Sequence, residues 1–265
     1  MKKLTFILTV LSALSLKAEA QKGYVRIGGG YGAAAAGQSR DIDGTPLNGN
    51  ASYNTKQGFT DMDLKKASYG AGAFVNAALG SMINEHVGLE LNASVGIGPA
   101  KYTTHLNYSD AANKYSYAMT TVQQAKLPIL LTPSLVLQTG KKVHLYMRAG
   151  VILPVSTRLK STMTVTQVQN GVTSSGKGSS QTYFSFKPGF ACAAGLDFKI
   201  AKVVKFYVEA NSTSLSLYVN EQASVAPIKA NYFYSFKADG SSRYGRYSYP
   251  YSSIGGSVGL RFDFK

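Results

Sequence analysis

Apolar and polar side chains alternate from Tyr251 to the end of the chain at Lys265. Ile254, Gly256, Val258, Leu260, Phe262 and Phe264 share one face, and Ser253, Gly255, Ser257, Gly259, Arg261 and Asp263 the other. A period of two is a strand. One face carries no charge and grades from small residues to large aromatics, while the other is mostly glycine and serine. That combination suits a strand with lipid on one side and a narrow polar lumen on the other.

Seven earlier segments read the same way. Tyr24 to Ala33 sets Val25, Ile27 and Tyr31 against Arg26, Gly28, Gly30 and Gly32, and the glycines leave room for long side chains from facing strands. Ser68 to Leu79 and Val87 to Gly98 follow, joined so briefly that they must be antiparallel neighbours. A fourth strand is predicted from Thr121 to Gln138, edge-like or bulged because of Pro128 and Pro133. Val143 to Leu153, Phe184 to Lys199 and Val204 to Val219 complete the set. In the last of these, Leu215, Leu217 and Val219 fall out of phase with Val204 to Ala210, which predicts a bulge at Asn211 to Ser214.

Short turns are predicted near Asn84, Gly140 and Lys202, and long polar loops over 34–67, 99–120, 156–182 and 220–250. The third loop centres on Gly171 and Ser174 to Gly176, which suits the tip of a protruding hairpin. The fold class expected is therefore all-β: an eight-stranded antiparallel transmembrane up-and-down β-barrel with four long extracellular loops and both termini periplasmic. A soluble lipocalin-like barrel is the rival, since it shares the strand number but turns its apolar face inward.

The first twenty residues narrow the choice. Lys2 and Lys3 precede an uncharged apolar run from Leu4 to Leu16, and Ala18-Glu19-Ala20 follows. This is the pattern of a cleaved secretory signal peptide over 1–20, leaving 21–265 as a single barrel domain. The run is too short for a spanning helix, so a membrane-integral reading requires a closed barrel. Cys192 is the only cysteine, which excludes a lipid anchor at the cleavage site and any intramolecular disulfide. Charged residues make up 15% of the chain, against about 25% in soluble domains, which fits strands with little water-facing surface.

The formal net charge is +15, and removing 1–20 takes away only Lys2, Lys3, Lys17 and Glu19. Such a balance favours anionic partners, phosphorylated glycolipid or acidic polysaccharide among them. An exported chain without a nucleic-acid motif is not expected to bind nucleic acid.

At this point the sequence resembles the small outer-membrane β-barrel family, the OmpA-like or porin-type eight-stranded barrels of Gram-negative bacteria. The resemblance is carried by the signal peptide, Lys126-Leu127-Pro128-Ile129-Leu130-Leu131, Gly195-Leu196-Asp197-Phe198, Val87-Gly88-Leu89-Glu90-Leu91, Phe206-Tyr207-Val208-Glu209-Ala210 and Gly259-Leu260-Arg261-Phe262-Asp263-Phe264. It implies the outer membrane as location and recognition of the C-terminal strand by the barrel-assembly machinery. Many members end on an aromatic residue, whereas Lys265 follows Phe264 here. No peptidoglycan-binding domain or cell-wall tether is expected.

Candidate chemistry is sparse. His86 and His144 begin strands just after short turns, and only His105, with Ser109 and Asp110 nearby, lies where some outer-membrane enzymes keep a histidine. No nucleophile motif supports it. An enzyme is not expected, nor a metal site or any other cofactor, because the histidines lack ligand spacing.

The polar faces carry Arg26, Glu90, Lys126, Arg148, Lys187, Asp197, Lys199, Lys205, Glu209, Arg261 and Asp263. They can line an anion-conducting pore or form a salt-bridged plug, and the narrowness of eight strands favours the plug. The last loop and its flanks hold Tyr232, Phe233, Tyr234, Phe236, Tyr244, Tyr247, Tyr249 and Tyr251 among Lys229, Lys237, Arg243 and Arg246. Tyrosine with arginine suits recognition of an anionic glycan or protein, and some of these tyrosines also suit an aromatic girdle at the lipid interface. Three functions stand: a structural or surface-interaction barrel, a narrow channel for small solutes or anions, and a lipid-modifying enzyme.

Overall fold

The computed structural model describes residues 22–35, 47–139, 143–225, 236–237 and 248–264, and every regular element among them is a strand. The signal peptide expected over 1–20 lies outside the described residues. Eight strands close into a barrel: β1 (Lys22–Ala34), β4 (Gly72–Met82), β5 (Val87–Pro99), β8 (Ile129–Thr139), β9 (Val143–Ser156), β12 (Gly189–Lys199), β13 (Val204–Ser214) and β17 (Ser253–Phe264). Their order is β1-β17-β13-β12-β9-β8-β5-β4, and every neighbouring pair is antiparallel. β17 closes the ring on β1, from Gly23 opposite Phe264 to Ala34 opposite Ser253. Closure removes every free edge from the wall, which is what a bilayer demands of a β-structure.

The alternation has the lipid-out sense. Ile27, Leu79, Leu145, Met147 and Val258 are exposed on the outer surface, while Arg26, Glu90, Tyr207 and Glu209 are buried within. A soluble barrel would reverse this, so the lipocalin-like reading is set aside. At one end, which we call the turn end, the connections are short. There the Asn84 side-chain oxygen accepts the backbone N–H groups of His86 and Val87, both at 2.8 Å.

At the other end the described parts of the expected loops are mostly strands, and the hairpin predicted in the third has its turn at Asn170 and Gly171, with Ser174 to Gly176 in the strand that follows. β6 (Lys101–Asp110) and β7 (Tyr115–Ala125) form one hairpin, β10 (Arg158–Gln169) and β11 (Val172–Phe184) a second, and β2 (Gly49–Asn54) and β3 (Gly58–Leu64) a third. With β14 (Ser216–Val225), β15 (Phe236–Lys237) and β16 (Ser248–Pro250) they make a nine-stranded sheet. It runs β15-β14-β11-β10-β7-β6-β2-β3, with β16 beside β14. From β14 to β6 this repeats the order of the barrel strands that each one continues, so the wall runs on past the lipid-facing band. Long stretches of these strands are polar on both faces, so no apolar period announces them.

Two further expectations are corrected. The fourth barrel strand starts at Ile129, not Thr121: Leu127 takes a φ of 39° ahead of Pro128, and Thr121 to Ala125 belong to β7. Within β8 the ladder to β9 is interrupted between Leu131↔Leu153 and Ser134↔Gly150, beside Pro133, which has no N–H to donate. The predicted bulge at Asn211 to Ser214 does not exist. β13 keeps one register against both neighbours. Odd-numbered residues face inward throughout, Tyr207 and Glu209 below and Leu215 and Leu217 above, so it is the surroundings that change and not the pleat.

Candidate functional site

Inward-facing side chains fill the lumen in layers. Toward the turn end, Arg261 donates from Nη1 to Asp197 Oδ2 at 3.0 Å and from Nε to Asp263 Oδ1 at 2.8 Å. Lys205 pairs with the other Asp263 oxygen at 2.7 Å, and the Arg261 guanidinium lies 3.8 Å from the centre of the Tyr24 ring.

Above this layer Arg26 and Arg148 alternate with Glu90 and Glu209. Arg26 reaches Glu209 at 3.0 Å and Glu90 at 3.4 Å. Arg148 donates from Nε and Nη2 to the two Glu209 oxygens at 2.9 and 2.6 Å, and from Nη1 to Glu90. Tyr24 donates to Glu90 at 2.9 Å and Tyr146 to Glu209 at 3.0 Å. The Arg26 guanidinium also lies 4.0 Å from the Tyr207 ring centre.

Each layer carries two cations and two carboxylates. That balance is required, since an unpaired charge in so narrow an interior would cost several kcal/mol. Two buried polar atoms among the described residues still lack a partner, Arg26 Nε and Asp197 Oδ1. The tyrosines fit because glycine faces them. A Cβ on Gly28 would strike the Tyr207 ring, and one on Gly80 the Tyr24 ring.

Above the charges lies a cavity of about 100 Å³ lined by Asn76, Asn92, Ser94, Thr132 and Ser134. An apolar cluster caps it: Tyr69, Tyr102, Leu130, Ile152, Leu159, Leu215, Leu217, Tyr249 and Tyr251, with Phe184 packed alongside. The Tyr69 and Tyr102 rings meet edge to face at 5.5 Å, and Tyr102 donates to the Ser68 carbonyl at 2.7 Å. Burial raises the Tyr102 phenol above its ordinary pKa.

The structure thus gathers Arg26, Glu90, Arg148 and Glu209 in one cluster and Asp197, Lys205, Arg261 and Asp263 in another. Lys126 and Lys187 belong to neither and are exposed on the outside. Both sit in kinks between a barrel strand and its continuation, where the alternation of the flanking strand no longer gives the direction. Lys199 is likewise exposed, beside the turn at its end of β12. Tyr24, Tyr146 and Tyr207 were missed as members of these layers, although each shares the inward phase of the charges beside it.

Among the proposed recognition residues, Tyr232, Tyr234, Arg243, Tyr244, Arg246 and Tyr247 lie outside the described residues, and Lys237 lies in β15. Tyr249 and Tyr251 are buried in the cap, neither at a lipid girdle nor free for a ligand. His105 faces Thr120 Oγ1 at 3.0 Å, whereas Asp110 accepts from Asn113 in its own turn. Among the described residues no three His, Cys, Asp or Glu side chains converge as metal ligands.

The family model for the outer membrane protein β-barrel domain matches residues 6–262. Among solved structures, the chain is similar to the N-terminal β-barrel domain of Pseudomonas aeruginosa OprF, at 8% identity and a TM-score of 0.36, covering 94% of this chain and 100% of that one. It is similar to Acinetobacter baumannii CarO2 at 12% identity and a TM-score of 0.37, covering 92% and 99%. Neisserial surface protein A gives 10% identity and a TM-score of 0.37, covering 93% and 98%. A comparison with curated proteins found no match. At these identities no activity transfers from one protein to another.

Proposed function

The chain belongs to the outer membrane protein β-barrel family, and from that premise we propose a closed, non-conducting and non-enzymatic barrel that holds a basic sheet outside the cell to engage an anionic surface partner. The turn end and both termini face the periplasm. The observation that carries this reading is the sheet itself, a continuation of the barrel wall into water. On it and its turns Lys56, Lys65, Lys66, Lys101, Arg158 and Lys160 outnumber the carboxylates Asp61, Asp63, Asp110 and Glu221. Charge of one sign held on a rigid support steers and retains partners of the other.

The solute-channel reading has the cavity in its favour, but Arg148 and Glu209 of the charge layer line it on one side and Tyr69, Leu130, Ile152 and Tyr251 of the apolar cap on the other, which favours a closed lumen. Against catalysis, His105 and Asp110 have separate partners. The test has two readings on one preparation, the barrel refolded into lipid. In planar bilayers it passes no steady current, and stepwise conductance would overturn the closed lumen. On an immobilised acidic polysaccharide it is retained at low salt and released early when Lys56, Lys65 and Lys66 are changed to Gln. Equal retention of the variant would overturn the basic sheet as the contact.

A further inference from the structure

Where the barrel wall passes into the outer sheet, its outer face carries a belt of cations directly above exposed apolar residues. Lys101 on β6, Arg158 and Lys160 on β10, and Lys126 and Lys187 in the kinks are all exposed. Lys101, Arg158 and Lys160 point away from the interior, since their sequence neighbours Tyr102 and Leu159 are buried in the cap, and Lys126 lies beside Arg158 and Lys187 over the Tyr218 ring.

The register sets their spacing. Gln124 pairs with both Lys101 and Lys160, placing those two lysines in one row on either side of it. The Lys126 N–H donates to the Arg158 carbonyl at 2.7 Å, which puts these two side by side in the next row. Strands lie about 4.8 Å apart, so four cations occupy a patch about 10 Å wide. Lys187 extends it, its ammonium 3.5 Å from the centre of the Tyr218 ring.

None of the five forms an ion pair with a described carboxylate. Below them lie Ile97, Leu127, Val155, Phe186 and Phe190, all exposed. A ligand that matches both levels has acyl chains against these apolar side chains and phosphate at the height of the cations. Free phosphate meets only the upper level, and a water-borne polyanion leaves the apolar residues unmatched.

We propose that this belt binds the phosphorylated headgroup of a glycolipid in the surrounding leaflet. It is separate from the Lys56, Lys65 and Lys66 contact tested above, although Lys101, Arg158 and Lys160 belong to the same basic sheet, and it rests only on the orientation given there, which makes this the outer leaflet. Each basic residue close to a charged membrane surface adds roughly 1 kcal/mol, or about fivefold in affinity, so three together exceed a tenfold effect.

The experiment uses vesicles of neutral phospholipid doped in both leaflets with a diphosphorylated, acylated disaccharide. A parallel set holds the same glycolipid stripped of phosphate. The refolded barrel is released in mild detergent and weighed intact by native mass spectrometry. The wild type retains the phosphorylated lipid and not the stripped one, and K126Q/R158Q/K160Q retains at least about tenfold less. K114Q/K177Q, exposed on the hairpins away from the belt, keeps wild-type occupancy.

Equal retention by the belt variant, equal retention of the stripped lipid, or displacement by inorganic phosphate would overturn the proposal. So would equal loss in both variants, which would mean that binding follows net charge. If the belt variant fails to show the gel shift of a folded barrel, the wild type alone decides: raising ionic strength must release the lipid, and retention at high salt would contradict the site. Because both leaflets are doped, the result does not depend on the direction of insertion. Surface proteolysis on cells tests that direction separately.

Discussion

The two halves of the wall obey opposite rules within the same strands. In β13, Val208 and Ala210 face outward while Tyr207 and Glu209 face in; a few residues on, past the kink, Leu215 and Leu217 face in. β9 and β12 behave alike, with Met147, Val151 and Phe190 exposed and Ile152 and Ala191 at the cap. Below the kinks the outer face meets lipid and the interior must solvate charge with charge. Above them the outer face meets water, and the interior can bury hydrocarbon as any soluble protein does. The phase of an apolar residue therefore reports what lies outside the wall at that height, while the pleat stays constant.

The largest effect should come from unpairing the interior of the lower half. Glu209→Ala leaves Arg26 and Arg148 with one carboxylate between them, and removing one partner of a buried pair costs about 3–5 kcal/mol. Urea unfolding from lipid vesicles measures it, and a cost below about 1 kcal/mol would mean that water screens the layer.

The upper half breaks differently. Leu217→Ala should cost about 2–5 kcal/mol because the cap cannot collapse onto the cavity it leaves. Leu145→Ala, facing lipid, should cost under about 1 kcal/mol, since acyl chains refill the space. Equal costs for the two would erase the distinction between the halves.

A charge on the outer face sharpens the boundary further. Met147→Lys should cost about 2–4 kcal/mol if it lies near the bilayer midplane. Thr162→Lys, exposed on the outer face of β10, should stay within about 0.5 kcal/mol of wild type. The smallest effects belong to Lys126→Gln and Lys187→Gln. Lying outside the lumen, they should shift stability by no more than about 0.5 kcal/mol, and a loss comparable to that of Glu209→Ala would return them to the charge network.

How much of this was legible follows from what a period of two encodes. Alternation states which face a residue occupies, so the eight barrel strands and the inward direction of Arg26, Glu90, Arg148 and Glu209 could be read from single segments. It says nothing of height on the wall. The sorting of eight charges into two balanced layers depends on register between strands, which no one strand reveals. Lys126 and Lys187 fall at kinks, where the count along the strand is lost. The strands of the hairpins could not be read because long stretches of them are polar on both faces, so only the turn at Gly171 marked one of the three, and Leu215 and Leu217 suggested a bulge because a change of solvent and a change of phase leave the same mark on a sequence. Tyr24, Tyr146 and Tyr207 were readable in principle, each two residues from an inward charge and in a chain rich in glycine to receive it.

The chain contains no tryptophan, so a single one can be placed in each half against a clean background. Phe190 is exposed on the lipid-facing band, and Phe184 packs against Tyr249 in the cap with ring centres 5.5 Å apart. Phe190→Trp and Phe184→Trp are both conservative in shape and lie close together in the chain. In vesicles whose acyl chains carry bromine, fluorescence of the Phe190→Trp protein should be strongly quenched and that of the Phe184→Trp protein left nearly unchanged. Quenching of Phe184→Trp to the same degree, or protection of Phe190→Trp, would contradict the inversion of inside and outside along the wall.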